Sequence, residues 1–265
     1  MRIGLIGGSG LYEIEGLEIT KEVSISTPYG EPSSVYRIGT IGDKGDEKEI
    51  VFLPRHGIPH SIPPHKVNYR ANIWGFKSLG VDRIISVNAV GGINKDLYPC
   101  DIVLLDQIID MTYGARESTF YDKDKVVHID FTDPYCPEMR DFIVKASQNI
   151  GLPMKLAGTY ICVNGPRLET AKEIQFFSMI GADVVGMTAM PEASLAKELE
   201  MCISGISVVT NYAAGISEKK LTTTEVVETM KNSLDRIKSL IKEIIMHVPI
   251  ARTCQCKDAL KDAEL

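Results

Sequence analysis

Three loops of the sequence carry residue types that bind anions, and each follows an apolar run. In Gly7-Gly8-Ser9-Gly10, the glycines let backbone N–H groups approach an anion closely, and the Ser9 hydroxyl adds a donor. Pro54-Arg55-His56-Gly57 places a cation with a bidentate fork next to a second donor. Thr188 precedes Pro191, where a helix is predicted to begin, and a helix N-terminus favours an anion. Together the three loops predict a phosphate site.

Simpler interpretations of these loops stay open at this level. The glycine loop is also typical of a tight turn, and Arg55 could form a surface ion pair. The same loop lacks the Gly-Lys-Ser/Thr of a P-loop and the third glycine of a dinucleotide fingerprint. No acidic residue ends a second strand, so a dinucleotide-dependent oxidoreductase is disfavoured.

Neither the histidines nor the cysteines have the spacing of a metal site. His56, His60 and His65 share a loop with three prolines, which excludes helical spacing, and no carboxylate cluster accompanies them. A zinc site needs four ligands in two close pairs, and the chain has one close pair, Cys254-Gln255-Cys256. An even number of cysteines is compatible with reduced thiols and, as in hyperthermophiles, with internal disulfides. The six cysteines are Cys100, Cys136, Cys162, Cys202, Cys254 and Cys256.

Composition and charge exclude several classes of protein. The 265 residues, 44% of them hydrophobic, can bury a core as one domain over residues 1–265, with a C-terminal tail from about 248. The net charge of -6 disfavours nucleic acid or an anionic membrane as partner, because either needs a basic patch. No apolar run is long enough to span a bilayer, and the glycine-broken N-terminus lacks a signal-peptide pattern, so we expect a cytoplasmic protein.

Apolar periodicity alternates between strands and helices along the chain. The last helical segment opens with the capping box Thr222-Thr223-Thr224-Glu225 and continues with one apolar stripe. The alternation predicts an α/β fold, a single domain with a mixed, mainly parallel β-sheet flanked by helices. Ligands of such sheets bind at the carboxyl ends of strands, where the three loops lie. The predicted strands are 2–6, 35–41, 49–54, 83–87, 102–105, 155–163, 183–187 and 202–209, and the predicted helices are 69–79, 137–150, 171–180, 191–201 and 222–247.

Seven motifs occur in one order along the chain. They are Gly7-Gly8-Ser9-Gly10, Pro54-Arg55-His56-Gly57, Asn68-Tyr69-Arg70-Ala71-Asn72-Ile73-Trp74, Asn164-Gly165-Pro166-Arg167, Gly186-Met187-Thr188, Met190-Pro191-Glu192-Ala193 and Thr210-Asn211-Tyr212. Together they resemble the trimeric purine nucleoside phosphorylase and methylthioadenosine phosphorylase family, from the first strand to about residue 245. The resemblance implies a nucleoside phosphorylase-like fold and phosphorolysis, in which phosphate attacks the anomeric carbon and releases the purine and a pentose 1-phosphate. A phosphate dianion stabilises the cationic sugar of such a transition state, so we expect neither a metal nor a cofactor.

The same resemblance implies roles for individual residues. Met187 is expected under the ribose, and His56, Glu169 and Asn211 are expected to act in catalysis. His128 is similar to a histidine that relatives lend to a neighbouring subunit's sugar pocket, which implies a homotrimer or a homohexamer. The expected phosphate ligands are Ser9, Arg55, His56, Asn88 (through its backbone or amide), Ala89 and Thr188. The remaining expected substrate contacts are Leu168, Glu169, Asn211, Tyr212 and Ala213 at the base, and Thr223, Val226 and Val227 at the 5′ end.

The residues expected at the base predict a preference for 6-oxopurines. Adenine-using relatives typically carry Thr-Asp-Tyr-Asp where this chain has Thr210-Asn211-Tyr212-Ala213, and serine where it has Glu169. An ionised aspartate only accepts hydrogen bonds, whereas the amide of Asn211 can donate to the purine oxygen at position six and to the nitrogen at position seven. Glu169 can accept from the ring N–H at position one, which 6-oxopurines have and adenine lacks. It could also be a solvated glutamate at a helix start.

Several alternatives stay open in the sequence. The two valines suit a 5′-methylthio group and the Thr223 hydroxyl suits a 5′-hydroxyl, so inosine, guanosine and 5′-methylthioinosine are all candidate substrates. S-methyl-5′-thioadenosine phosphorylase is the alternative within the family, and a non-catalytic purine-binding domain is the alternative of another class. The Cys254-Gln255-Cys256 segment resembles the C-terminal Cys-x-Cys of thermophilic archaeal relatives that contain disulfides, and Cys136 and Cys202 fall where such relatives place a bridge.

Overall fold

A mixed β-sheet of ten strands runs through the centre of the described chain. The computed structural model describes residues 1–265 except 9, 10, 12, 13, 43–46, 115, 124, 218–221 and 265, and except the side chain of residue 223. The strands are β1 (Arg2–Gly7), β2 (Glu18–Val23), β3 (Tyr36–Ile41), β4 (Lys48–Pro54), β5 (Val81–Gly92), β6 (Ile102–Leu104), β7 (Gln107–Asp110), β8 (Thr159–Cys162), β9 (Val184–Gly186) and β10 (Cys202–Tyr212).

Parallel pairing at the centre of the sheet brings four strand ends to one edge. β1 pairs in parallel with β4 and β5, and β5 pairs in parallel with β10. A second parallel group contains β7, β8 and β9. Antiparallel pairs join β2 to β3, β3 to β4, β5 to β9 and β6 to β10, so the sheet is mixed. The carboxyl ends of β1, β4, β5 and β10 therefore lie together, where α/β sheets bind ligands.

Two glycines let the end of β5 contact two strands. Gly91 and Gly92 pair with β10 and also with β9. A Cβ atom added at Gly91 would lie 3.2 Å from Val185 of β9, and one added at Gly92 would lie 3.1 Å from Val209 of β10. A side chain at either position would crowd these valines, so the glycines allow close packing at this edge of the sheet.

Five helices flank this sheet in the described part of the chain. The N-termini of four are capped by side chains. Asn68 accepts from the Ala71 N–H, the Cys136 sulfur from the Met139 N–H, and Thr222 from the Glu225 N–H, while Thr170 forms a full capping box. The helices are α1 (Tyr69–Ser78), α2 (Pro137–Asn149), α3 (Ala171–Met179), α4 (Ala189–Glu198) and α5 (Thr223–His247), and two 3-10 turns span Pro64–Lys66 and Gln255–Asp258.

The helices and the sheet enclose separate apolar clusters. Phe76 of α1 and Leu195 of α4 belong to one buried cluster, and Ile143 of α2 and Ile241 of α5 belong to another. A smaller cluster packs around α3. This arrangement confirms the predicted α/β fold with a mixed sheet flanked by helices. Among the described residues, no helix is both long enough and apolar enough to cross a bilayer.

The observed elements differ from the predicted ones mainly at strand ends and sheet edges. β5 and β10 continue to Gly92 and Tyr212, beyond the predicted ends at 87 and 209. The prediction stopped early because the last residues of these strands do not continue the apolar run. β8 is shorter than the predicted 155–163. The apolar pattern does not reveal β2 or β7, which lie at the two ends of the main strand order. Most of β2 is exposed, so burial selects no apolar alternation there.

Candidate active site

A cavity of about 580 Å³ lies at the carboxyl ends of the parallel strands. Residues from β5, β9 and β10 and from the loops after β1 and β4 line it, together with one side of α5. All three loops expected to bind anions reach this cavity, the first through Gly8. Ser9 lies outside the described residues. The α5 residues that line the cavity are Val226, Val227, Met230, Lys231 and Leu234.

Arg55 directly follows β4 and is 2% exposed. Its Nε and Nη2 atoms donate to the two carboxylate oxygens of Glu192 over 2.7 and 3.0 Å. Nη2 also donates to the Ser86 hydroxyl over 2.9 Å, and Nη1 donates to the Val87 carbonyl over 3.1 Å. Ser86 in turn donates to Glu192 over 2.7 Å. The bidentate fork that the sequence suggested for an anion is therefore directed at a buried carboxylate.

The buried pair decides what Arg55 can offer a ligand. Burial lowers the pKa of Arg55, but the charge and hydrogen bonds of Glu192, together with Tyr69 and Tyr160, raise it above its ordinary value, so the guanidinium stays charged. A guanidinium has five N–H groups, and the four bonds named above leave one on Nη1. Glu192 also fixes the guanidinium plane. Arg55 thus presents a fixed positive charge and one N–H to the cavity, rather than a free fork.

His56 is held in one tautomer by a backbone carbonyl. Its Nδ1 lies 2.8 Å from the Ile62 carbonyl oxygen, and because a carbonyl only accepts, Nδ1 carries the hydrogen. Burial, followed by the charge of Arg55, lowers the pKa of His56 to about 4. The ring is therefore neutral near pH 7 and its Nε2 is an acceptor, not the second donor that the sequence suggested. Nε2 can accept the proton of a protonated phosphate oxygen, and it can donate to a dianion only after taking up a proton.

Asn88 and Thr188 form a second fixed polar pair. The Thr188 hydroxyl donates to Asn88 Oδ1 over 2.8 Å, and the Thr188 N–H donates to the Tyr160 hydroxyl over 3.1 Å. Asn88 Nδ2 lies 3.4 Å from the Ser86 hydroxyl, which connects this pair to Glu192 and Arg55. Both residues line the cavity with Ala89. The structure therefore brings five of the six expected phosphate ligands to one wall.

A register shift near the end of β10 brings two consecutive side chains to the cavity. Val209 pairs with Val90 and Asn211 with Gly91, so Thr210 is an extra residue in the strand. Thr210 and Asn211 both line the cavity, which regular alternation would not allow. The Asn211 Nδ2 donates to the Tyr212 carbonyl over 2.8 Å, and its Oδ1 accepts from the Thr210 hydroxyl over 2.9 Å. These two bonds orient the amide and leave one N–H of Nδ2 for a ligand.

Glu169 precedes α3 and faces the cavity next to Leu168. Its Oε1 atom is buried and has no hydrogen-bond partner in the described structure. Burial raises the pKa of Glu169. Leaving a buried acceptor unpaired costs about 1–3 kcal/mol, which a ligand N–H would recover. The alternative that Glu169 is a solvated glutamate at the start of a helix is therefore wrong, because its Oε1 atom is buried.

Comparison with known proteins identifies the family. Residues 2–246 match the sequence pattern of a family described as "Phosphorylase superfamily". The chain belongs to the phosphorylase superfamily. This confirms the resemblance carried by the seven motifs, and with it the expected enzyme class.

Two relatives and one solved structure resemble this phosphorylase over nearly their whole lengths. It is 55% identical over 263 residues to a Thermodesulfovibrio yellowstonii protein named "Probable S-methyl-5'-thioinosine phosphorylase", covering 99% of this chain and 97% of the relative. It is 52% identical over 269 residues to the "6-oxopurine nucleoside phosphorylase" of Pyrococcus furiosus, covering 99% and 98%. The structure of methylthioadenosine phosphorylase from Schistosoma mansoni in complex with adenine superposes with a TM-score of 0.92 at 30% identity, covering 100% and 99%.

Three residues expected to contact the substrate are not found at the cavity: two of them do not line it, and the side chain of the third is outside the described structure. Tyr212 is not among the described residues that line the cavity, and it acts on the cavity through its carbonyl, which orients Asn211. His128 also lies away from this cavity, and its N–H donates to the Ala263 carbonyl over 2.8 Å. The side chain of Thr223 is outside the described structure. Met187, Ala213, Val226 and Val227 line the cavity.

Sequence reasoning missed the residues that orient the side chains expected to bind phosphate. Glu192 was part of a motif but received no role, and Ser86 and Tyr160 read as core strand residues. The signal for Glu192 is a carboxylate among apolar neighbours in Ala189–Glu198, a segment in which eight of ten residues are buried. A buried acid needs a cationic partner, so this pattern could have pointed to Arg55.

The cysteines are all free thiols in the structure. No disulfide joins the described cysteines, so the bridges implied by archaeal relatives are absent here. The Sγ atoms of Cys202 and Cys254, which the resemblance does not pair, are 3.3 Å apart, whereas a disulfide bond is about 2.05 Å long. Cys136 and Cys256 lie in the same cluster. The four sulfurs are therefore close together but unbonded.

Proposed function

We propose that this phosphorylase cleaves 6-oxopurine nucleosides, inosine and guanosine, with inorganic phosphate. The products are the free purine and ribose 1-phosphate. The observation that carries the proposal is the buried, unpaired Oε1 of Glu169 at the cavity. The N–H at position one of hypoxanthine or guanine satisfies this oxygen. Adenine has a lone pair at that position, which would oppose the carboxylate at a cost of about 1–3 kcal/mol.

Asn211 supports the same base preference. One N–H of its amide is free after the bond to Tyr212, and it can donate to the oxygen at position six or the nitrogen at position seven. As the glycosidic bond breaks, negative charge collects on the purine ring. A donor at position seven then binds the transition state more tightly than the substrate. In our proposal Asn211 both selects the base and assists its departure.

The proposed phosphate seat consists of Arg55, His56, Asn88, Ala89 and Thr188, and the sequence motif of the first loop adds Ser9 as a sixth expected ligand. The wall that they form carries the fixed positive charge of Arg55 and the hydroxyl of Thr188. Phosphate held there, with Met187 beside the sugar, stabilises the cationic sugar of the transition state by charge complementarity. Inorganic phosphate is the co-substrate, and the proposal needs no metal or other cofactor.

A second candidate substrate is 5′-methylthioinosine. Val226, Val227, Met230 and Leu234 give the α5 wall an apolar surface that suits a methylthio group better than a hydroxyl. The name of the Thermodesulfovibrio yellowstonii relative points to the same substrate. Lys231 is the polar exception on that wall.

A phosphate-dependent turnover panel tests the proposal. We expect kcat/KM for inosine and guanosine to exceed that for adenosine by about a hundredfold, the order that one mismatched buried polar group supplies. Comparing inosine with 5′-methylthioinosine, and adenosine with S-methyl-5′-thioadenosine, separates the 5′ preference from the base preference. Equal rates for adenosine and inosine would refute the base assignment. Binding of hypoxanthine without phosphate-dependent turnover would instead identify a purine-binding domain.

We also propose that the active form is a homotrimer or a homohexamer. His128 lies away from the cavity of its own chain, as expected for a residue that completes a neighbour's sugar pocket. Sedimentation of the wild-type protein measures the oligomeric state. His128→Ala should raise KM for inosine without changing that state, and an active monomer would contradict the proposal.

A further inference from the structure

Four of the six cysteines meet at one point, far from the cavity. Cys136 caps α2, Cys202 begins β10, and Cys254 and Cys256 follow α5. Their Sγ atoms all lie within 4.8 Å of one another. Cys136 and Cys202 are buried, and the other two are half-buried. Because β10 rises about 3.3 Å per residue, Cys202 lies about 30 Å from Asn211 at the other end of the strand.

We propose that these four cysteines form a structural zinc site. Tetrahedral zinc has Zn–S bonds of about 2.3 Å, which places the sulfurs about 3.8 Å apart. The four sulfurs lie within 4.8 Å of one another and so need to approach only slightly to reach this spacing. Four soft thiolate ligands favour Zn²⁺ over harder cations. With four protein ligands no coordination position is left for water or substrate, so the site is structural rather than catalytic. Binding replaces four thiol protons, which pass to solvent, and no sulfur changes its oxidation state.

The surroundings of the cluster favour an anionic centre. Cys136 lies at the N-terminus of α2, where its sulfur accepts from the Met139 N–H over 3.5 Å. The Arg252 guanidinium lies 4.0 Å from the sulfur of Cys202. N–H groups and cations around thiolate ligands are the usual support of such sites, because four thiolates on one Zn²⁺ leave a net negative charge.

The two ligands on the tail are positioned independently of the sulfurs. The Glu138 carboxylate accepts from the backbone N–H groups of Thr253 and Cys254, each over 3.2 Å. Arg252 donates to the Glu200 carbonyl over 2.7 Å. These bonds hold the tail against α2 and the start of β10 before any ion binds. The inferred role of zinc is to fasten the tail to these two elements.

Cysteine spacing along the chain predicts no metal site, because it shows only one close cysteine pair. The second pair, Cys136 and Cys202, is assembled by packing α2 against β10. Spacing rules for zinc sites assume that each ligand pair lies in one local loop. They therefore cannot find a pair whose members come from different elements.

The first test is the metal content and thiol state of the wild-type protein. The full-length chain is produced in cells supplied with zinc and purified under reducing, oxygen-free conditions. We expect one zinc per chain by elemental analysis and six alkylatable thiols after denaturation with a chelator. Exchange with Co²⁺ should produce the visible absorption of a tetrahedral thiolate complex. A zinc-free protein, or a mass deficit of two hydrogens per bridge from cysteine disulfides, would overturn the proposal.

The second test is a pair of variants. Cys254→Ser with Cys256→Ser removes two half-buried ligands from the tail and spares the buried core positions. We expect loss of stoichiometric zinc and a fall in Tm on the order of 10 °C. The kcat/KM for the nucleoside substrate should stay within about twofold, because the cavity lies about 30 Å away. Cys100→Ser, outside the cluster, is the matched control and should keep both zinc and Tm. Retention of zinc by the double variant would refute the assignment.

Discussion

The two polar sides of the cavity differ in how their hydrogen-bonding groups are satisfied. On the side proposed for phosphate, Arg55 is paired with Glu192, and Thr188 with Asn88. On the side proposed for the base, Glu169 Oε1 has no described partner and Asn211 keeps a free N–H. The charged group of the first side is already paired before a ligand arrives, whereas the second side keeps a buried carboxylate oxygen that only a ligand can pair.

This difference indicates how a single cavity treats its two substrates. Phosphate is the same in every turnover, so a fixed charge that needs no reorganisation serves it best. The base must be distinguished from close analogues. Free hydrogen-bonding groups in the pocket weaken the binding of any analogue that leaves them unpaired. If this view is correct, changes on the first side should affect stability and all substrates alike. Changes on the second side should affect substrate preference.

Glu192→Gln should have the largest effect, because it removes the charge that compensates buried Arg55. We expect a loss of about 3–5 kcal/mol in the free energy of unfolding, measured by denaturant titration. The phosphate KM should rise for every nucleoside. Glu49→Gln is the matched control, since it breaks the half-exposed pair with Arg2 and should cost at most about 1 kcal/mol. Equal losses in both variants would mean that the buried pair has no special role.

Glu169→Ala should change substrate preference rather than stability. Inosine loses the acceptor for its ring N–H, so its kcat/KM should fall by about 10–100-fold, while that of adenosine should rise because the opposed carboxylate is removed. Glu169→Gln keeps a neutral acceptor, so its kcat/KM for inosine should lie between those of the wild type and Glu169→Ala. Glu228→Ala on the exposed part of α5 is the control. A proportional loss for both nucleosides would assign Glu169 a structural role instead.

His56 should make stability depend on pH. Burial and the charge of Arg55 lower the pKa of His56 from its ordinary value of 6.5 to about 4. Between pH 6.5 and about pH 4, the unfolded chain therefore binds a proton at His56 that the folded chain does not. The free energy of unfolding should therefore fall by about 2 kcal/mol as the pH decreases from about 7 to 5. His56→Gln should remove this part of the slope in denaturant titrations at the two pH values. An unchanged slope would show that His56 is not the group responsible.

Asn211→Asp should have the smallest but most diagnostic effect. An ionised aspartate cannot donate to the Tyr212 carbonyl or to a 6-oxopurine, and it can accept from the 6-amino group of adenine. We expect the ratio of inosine to adenosine turnover to fall by about tenfold, mostly through loss of the inosine rate. Ala213 provides no second acid, so adenosine should remain a poor substrate. A constant ratio would place the base elsewhere.

The fold was largely predictable because its main strands are buried and their apolar runs are continuous. Seven of the predicted strands and all predicted helices correspond closely to described elements, whereas 155–163 is only partly a strand. The edge strands β2 and β7 were not predictable, since an exposed strand needs no apolar alternation. Five candidate site residues were identified from the sequence, and all five line one cavity: Arg55, His56, Thr188, Glu169 and Asn211.

Residue types and local patterns were thus enough to find which side chains are available for chemistry and which loops carry them. How each side chain is used depends on its surroundings in the folded chain. The fold turned the fork of Arg55 toward Glu192, made Nε2 of His56 an acceptor, and left Oε1 of Glu169 without a described partner. It also gathered four cysteines from separate elements. The physical reason is that partners, burial and charge state depend on residues far apart in the chain, which local pattern does not encode.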